Sequence, residues 1–466
     1  MTFALAVLII YATALMCFGL FISNRVPIRD DFFVAGRRLT PFLLFATILS
    51  SNIGAGSTVN AAALGYRDGL SAWWWVGSAG LGSIALALWI GPKIRQLAAT
   101  HHFETIGDFL EYRYSGGVRS AVTILLWIGT VAILAGQLMA IGWVLNVVTG
   151  LDRWMGCVIG GIVVTAYFTA GGLLTAVWVN VVQLVVLLIG FAVVLPLSLS
   201  EAGGLTYVMH ATSDIEQYWN PWRGGNSGWF YLAMLAPAFV VSPGLLQKVY
   251  AARDDRTVRL GIGWNALFLL VFASIPPLLG MIARSTFPEL SHPDLALPTL
   301  LMHSLPPVVG ALGLAALFSA EISSADVILF MLATSLSKDF YRRVLKPNAT
   351  DKEVLTVARW AAIGGGFLGT VMAVTADSIA DVLAFFYTLL SVSLFVPVIA
   401  GLYLKRFTST EALTSMLAGI SFATFVQIAT EGRGFAGFTP AMFGLGGAFL
   451  SCLAGSGTRL LTKQKH

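Results

Sequence analysis

Glu321, Ser323, Ser324 and Asp326 stand within six consecutive positions of the apolar run 311–343, ALGLAALFSAEISSADVILFMLATSLSKDFYRR. Two carboxylates and two hydroxyls near the middle of a stretch long enough to cross a bilayer are costly to insert. Ionisable groups so placed usually face a bundle interior or an aqueous cavity on an ion or substrate path. At about 100° per residue, Ala320, Ser323 and Ser324 share one helical face, and Asp326 lies a turn beyond Ser323. That face offers only oxygen, the hard donor type suited to small, hard cations. It has no His or Cys to suggest a transition metal. A membrane hydroxyl can also simply bond back to the preceding turn, so either serine alone is compatible with a local role. The whole cluster calls for more.

The rest of the chain must hold that helix in a membrane. Of 466 residues, 57% are hydrophobic and only 11% charged, and the mean hydropathy is +0.81. This composition excludes a soluble globular protein and describes a polytopic membrane protein. Cys17, Cys157 and Cys452 all lie in apolar stretches, with no disulfide or metal spacing. The first 22 residues have no basic segment ahead of the apolar run and no small-residue cleavage pattern, so a retained first span is expected.

Apolar stretches of roughly 17 to 35 residues predict about thirteen transmembrane helices. Their limits are 3–22, 40–66, 72–91, 119–148, 154–170, 176–199, 229–250, 260–282, 303–337, 355–375, 379–404, 412–430 and 436–456. With the N-terminus outside and the C-terminus cytoplasmic, 23 of the 28 Lys and Arg residues fall on the inner side; Arg67, Arg153, Arg223, Arg284 and Arg433 do not. This bias follows the positive-inside rule, predicts a multi-pass protein of the cell inner membrane, and assigns the net charge of +5 to membrane orientation and not to nucleic acid. Residues 200–228 and 283–300, rich in Trp, Pro, Gly and Asn, read as outer connections. Residues 98–118 read as a short amphipathic inner helix, with His101 and His102 as a solvated pair.

Two spans are interrupted. Gly54 and Gly56 divide the second within SSNIGAGSTVNAAALGY, and Ser242, Pro243 and Gly244 divide the seventh. Freed backbone groups in a bilayer must be satisfied by ligand, ion, water or protein, so such breaks suggest a site. The two broken spans each begin a run of five, and paired discontinuous helices point to a transporter binding site. Asn52, Gly54, Ala55, Gly56 and Ser57, with Ser242, are therefore candidate solute contacts. Gln137 and Gln183, polar and intramembrane, either orient a solute or tie helices together.

The run Ala320–Asp326, closed by Ser337-Lys338-Asp339-Phe340-Tyr341, resembles the eighth core helix of sodium:solute symporters. Segments 50–57, 105–114, 171–183 and 247–254 resemble that family too, in the required order, over roughly residues 40–404. The resemblance implies a LeuT-like core of five-plus-five inverted repeats, with one extra N-terminal and two extra C-terminal helices. It implies a single transmembrane transporter domain over 1–466: a first span and inner loop at 1–39, repeats at 40–199 and 229–404, and a C-terminal pair with its tail at 405–466. It also implies Na+ as coupling ion, held by the carbonyls of Ser50, Ile53 and Ala320 and the hydroxyls of Ser323 and Ser324. Ser50 stands where relatives often have Ala, which matters little for a main-chain ligand.

Some relatives add a second sodium through an Asp on the sixth span, where this chain has Asn180. Asp326 then becomes the candidate charge for a second site shared with Asn180. Glu321, less usual for the family, has three open roles: contact with solute, proton coupling, or a protonated hydrogen-bonded state. No Lys or Arg lies deep in a span, so a solute carboxylate would meet half-helix N-termini or the bound sodium. Trp73, Trp74, Trp75, Trp143 and Trp178 either stack a sugar or anchor at the interface.

The expected function is sodium-coupled inward symport of a small polar organic solute (sugar, amino acid, carboxylate or vitamin-like) by alternating access. Proton-coupled symport through Glu321 and Asp326, or a cation channel, are the alternatives. No nucleophile–base pair or metal-ligand motif supports an enzyme. The expected partners are the solute and the lipid bilayer, with no nucleic acid; the oligomeric state is left open, a functional monomer being compatible with the sequence.

Overall fold

The computed structural model describes residues 3–23, 39–222, 228–432, 434–435 and 438–463; within these, the side chains of 16, 19–23, 167, 170–181 and 455–463 lie outside the description. The helices are α1 (Phe3–Ser23), α2 (Pro41–Asn52), α3 (Val59–Asp68), α4 (Trp73–Ala85), α5 (Gly91–His101), α6 (Ile106–Arg113), α7 (Gly116–Thr149), α8 (Arg153–Glu201), α9 (Leu205–Ala211), α10 (Tyr231–Val241), α11 (Pro243–Ala251), α12 (Asp255–Phe272), α13 (Ile275–Thr286), α14 (Ala296–His303), α15 (Pro307–Thr334), α16 (Asp351–Thr375), α17 (Ile379–Tyr403), α18 (Ser409–Ala429) and α19 (Pro440–Lys463). Among the described residues, nine helical runs are long and apolar enough to cross a membrane. The molecule is therefore an all-α, multi-pass membrane protein.

The expected count of thirteen spans is not reproduced. Residues expected to form two spans, 154–170 and 176–199, run as the single 49-residue helix α8. At 1.5 Å per residue it measures about 74 Å, well beyond a ~30 Å hydrocarbon core. Gly171 and Gly172 lower helix propensity there without forbidding the helix. The stretches expected to be outer connections are also more ordered than their composition suggests, since α9 lies within 200–228 and α14 begins within 283–300. α12 and α13 bend apart at Ala273–Ser274, just ahead of Pro276 and Pro277, which cannot donate to the helical ladder.

Both expected interruptions are present. α2 begins on Thr40, whose hydroxyl accepts from the Leu43 N–H, and ends at Ile53, whose φ of −101° and ψ of 103° are extended; α3 starts six residues later at Val59. α10 ends at Ser242, whose extended ψ of 121° turns the chain into α11 at Pro243. Against the second half of the first broken span, α13 packs backbone to backbone. A Cβ on Gly280 would lie 1.9 Å from the Ala62 carbonyl oxygen, and one on Gly65 would lie 2.3 Å from that of Pro277.

α15 is the most enclosed of the membrane-length helices and packs on α1, α7, α8 and α16. It continues as a π-helical segment, Ser335–Leu345, that reaches α6. There Arg119 at the start of α7 pairs with Asp108 at 3.0 Å, Glu111 at 2.6 Å and Asp339 at 2.5 Å. α6 itself is amphipathic, with Ile106, Phe109 and Leu110 buried, and is started by a Thr105–Asp108 capping box.

Candidate cation site and solute cavity

The end of α2 meets the middle of α15 through oxygen atoms. Ser323 Oγ donates to the Ser50 carbonyl at 3.4 Å, and Ser324 Oγ donates to the Ile53 carbonyl at 3.0 Å. Ser50 and Ile53 belong to the last turn of a helix that stops, so the Ile53 carbonyl has no next turn to bond. Four of the five expected ligands are thus in one place. Ala320, 2% exposed, lies one turn before Ser323 on the same helix. The set is neutral and oxygen-only, as a weakly held hard monovalent cation requires. Closeness depends on Gly54, because a Cβ there would stand 2.3 Å from Ser324 Oγ and 2.7 Å from Gln137 Oε1.

The unwound segment is otherwise satisfied from within the protein. The Gly54 N–H donates to Ser57 Oγ at 3.1 Å and the Ala55 N–H to Gln137 Oε1 at 2.9 Å. Thr58 Oγ1 donates to Glu321 Oε1 at 2.8 Å, and Asn52 Nδ2 to Asn265 Oδ1 at 3.3 Å. At this break the amides of Gly54, Ala55, Ser57 and Thr58 are therefore already engaged.

Beside the break is a cavity of about 90 Å³. Of the expected solute contacts, Asn52, Gly54, Gly56, Ser57, Gln137 and Ser242 line it, together with Ser324. Ala55 and Glu321 are fully buried and stand behind that wall. Sequence reasoning missed Phe239, Phe386 and Tyr387, which line the cavity, because aromatics in an apolar run are indistinguishable from core. The tryptophans divide: Trp74 Nε1 donates to the Pro221 carbonyl and Trp73 Nε1 to that of Leu270, whereas Trp75 lines the cavity.

The expectation that no basic group reaches deep is corrected by Lys248. Although near the end of its span, its ammonium turns back to α2, donating to the Thr47 carbonyl at 2.5 Å and to Ser51 Oγ. The long methylene stem makes this reach possible where residue position does not suggest it.

Asp326 is 1% exposed, and neither of its carboxylate oxygens has a hydrogen-bond partner among the described residues. Gln183 on α8, a helix that packs against α15, has a buried amide in the same condition. The side chain of Asn180, its expected companion, lies outside the described residues.

A helix bundle with two broken helices, an oxygen-lined meeting point and a cavity beside it defines a membrane transporter with an internal ion and solute site. The profile of the sodium:solute symporter family matches residues 32–419, and the chain belongs to that family. The human sodium/iodide cotransporter is 26% identical over 422 residues, covering 86% of this chain and 65% of its own length. The sodium/pantothenate symporter of Escherichia coli strain K12 is 24% identical over 438 residues, covering 89% of this chain and 88% of its own. The chain spans just under two thirds of the former relative's length. Among solved structures, a Na+-coupled sialic acid symporter in a substrate-bound outward-open state superposes with a TM-score of 0.77 at 18% identity, covering 97% of each chain. That likeness shows a shared fold. The family transports solutes and does not transform them, and the coupling ion it names is sodium.

Proposed function

We propose that the protein is a sodium-coupled symporter carrying a small polar organic solute into the cell by alternating access. The observation that carries this reading is the convergence of the Ser323 and Ser324 hydroxyls on the Ser50 and Ile53 carbonyls, with Ser324 also lining the cavity. An ion there would tie α2 to α15 and bear directly on the cavity wall, so ion and solute occupancy would be coupled. Ala320 supplies the fifth oxygen. The positive-inside bias supports an outer N-terminus and cytoplasmic C-terminus in the inner membrane, and the paired breaks at α2/α3 and α10/α11 support repeats over 40–199 and 229–404. The cargos that the relatives' names carry differ from one another, so the solute has to be found from this chain's own cavity. Uptake into proteoliposomes under an inward sodium gradient tests the reading; equal uptake with sodium replaced by potassium on both sides would refute it.

Asp326 supports a second cation site. A carboxylate buried with no donor among the described residues calls for a bound cation or a proton. Asp326, with Asn180 as its companion across α8, would hold a second sodium. The same observation favours proton coupling through Asp326 or Glu321 as a second reading, which predicts uptake driven by a pH gradient in sodium-free medium.

A further inference from the structure

We propose that the solute is a compact monocarboxylate whose carboxylate lies over Gly56, between the indole N–H of Trp75 and the hydroxyl of Tyr387; this rests on the reading of the cavity as the solute site. Gly56 leaves a niche where a side chain would be. A Cβ built on it would lie 3.2 Å from Leu383 Cδ1, 3.7 Å from Trp75 Nε1 and 4.0 Å from the Tyr387 hydroxyl oxygen. An acceptor a little further out is in reach of both donors. Neither side chain donates a hydrogen bond to the protein among the described residues, although Trp75 is only 3% exposed. Indole N–H is a donor only, so the solute must present an acceptor.

The rest of the wall narrows the class. Among the described residues no carboxylate lines the cavity, so an amine would lack a counter-charge. A sugar would need many polar partners, whereas Asn52 Nδ2, Ser57 Oγ and Gln137 Oε1 are each already engaged within the protein. Beyond the hydroxyls of Ser51, Ser242 and Ser324, most of the wall is apolar, from Val76, Leu235, Leu269, Ile328, Met331 and Leu383. A partly open cavity of about 90 Å³ suits a compact solute. Bonds from two neutral donors to an ionised acceptor are of the stronger, charge-assisted kind. A cation at Ser324, on the same wall, would balance the anion.

The test is binding to the purified full-length chain, by thermal shift and titration, in sodium and in potassium. The probes are propionate, butyrate and pyruvate, with propionamide as neutral isostere and choline and glucose as other classes. Carboxylates are expected to stabilise the protein only in sodium, with propionamide at least about tenfold weaker. Trp75→Phe and Tyr387→Phe should each weaken carboxylate binding by about tenfold. Gly56→Ala, whose new methyl needs only a small shift of Leu383, should weaken it further. None of the three should change the shift produced by sodium alone. Preferred binding of choline, held by the aromatic rings alone, or of glucose would overturn the inference. So would unchanged carboxylate affinity in the three variants, or no carboxylate response. If sodium itself stabilises the protein and any other solute binds with it, only this inference fails; if sodium has no effect on stability or on any solute, the symporter reading fails with it.

Discussion

The Glu321 carboxylate on α15 accepts a 2.8 Å hydrogen bond from Thr58 Oγ1, the residue from which α3 starts, so the ion-site helix and the broken helix are joined by a buried acid. Both residues are fully buried. Removing the donor leaves a carboxylate oxygen unsatisfied, and Thr58→Val should cost roughly 1–3 kcal/mol of stability. Glu321→Gln, which keeps an acceptor, should cost less, and the double variant should cost less than the sum. Chemical unfolding in detergent measures the cycle; strict additivity would show that the two do not interact.

Ser323→Ala and Ser324→Ala each remove one oxygen from the proposed cage while fitting a helix interface easily. Each should raise the sodium concentration for half-maximal uptake by about tenfold, with little loss of stability. Gly54→Ala should be harsher, since its Cβ would lie 2.3 Å from Ser324 Oγ and force the two helices apart. Sodium-dependent uptake is expected to disappear in that variant. Unchanged sodium dependence in both serine variants would retire the site.

Asp326→Asn keeps the shape of the side chain and loses the charge. If the carboxylate holds a second sodium, sodium stoichiometry or affinity should fall in a folded protein. A merely structural, protonated acid would be mimicked by the amide, and coupling would survive. Adding Asn180→Asp to that variant should restore coupling if both side chains approach one ion, and its failure to do so would count against a shared site.

Lys248 bonds the Thr47 carbonyl, one helical turn or about 5 Å from the Ser50 carbonyl. Two cations so close on one helix end repel, which favours release of the mobile one. Lys248→Met should tighten apparent sodium affinity by roughly three- to tenfold, and Lys248→Arg should not. The Thr47 carbonyl keeps the Ser50 and Ser51 hydroxyls as donors, so the variant should fold. Equal sodium dependence in wild type and Lys248→Met would reduce the lysine to a tether.

Glu111 on α6 is held below the usual carboxylate range: partial burial opposes its charge, but hydrogen bonds and ion pairs with Arg343 and Arg119 outweigh that. Because the folded value is the lower one, its contribution to stability is complete above the ordinary carboxylate range and is lost as the pH falls through the lowered value. Melting temperatures from pH 7 down to 3 should show a smaller acid-side loss in Glu111→Gln than in wild type. Parallel curves would contradict the assignment.

Composition and hydropathy alone determined that this is an all-helical membrane protein, because a bilayer admits few backbone solutions and each leaves a long apolar signature. The breaks at Gly54 and Ser242 were legible for the same reason: glycine and proline act on the local chain. So was the oxygen cluster of α15, since carboxylates and hydroxyls are conspicuous in an apolar run. Only the tertiary structure decided that Ser324 reaches Ile53, that Lys248 folds back onto Thr47, and that Glu321 serves Thr58 and not the cavity. These pairs join residues about 200 or more positions apart, where local periodicity carries no information. The continuity of α8 and the aromatic wall of Phe239, Phe386 and Tyr387 were hidden for a related reason. Whether an apolar side chain faces lipid, core or cavity depends on which helices pack beside it, and one helix's sequence does not specify its neighbours.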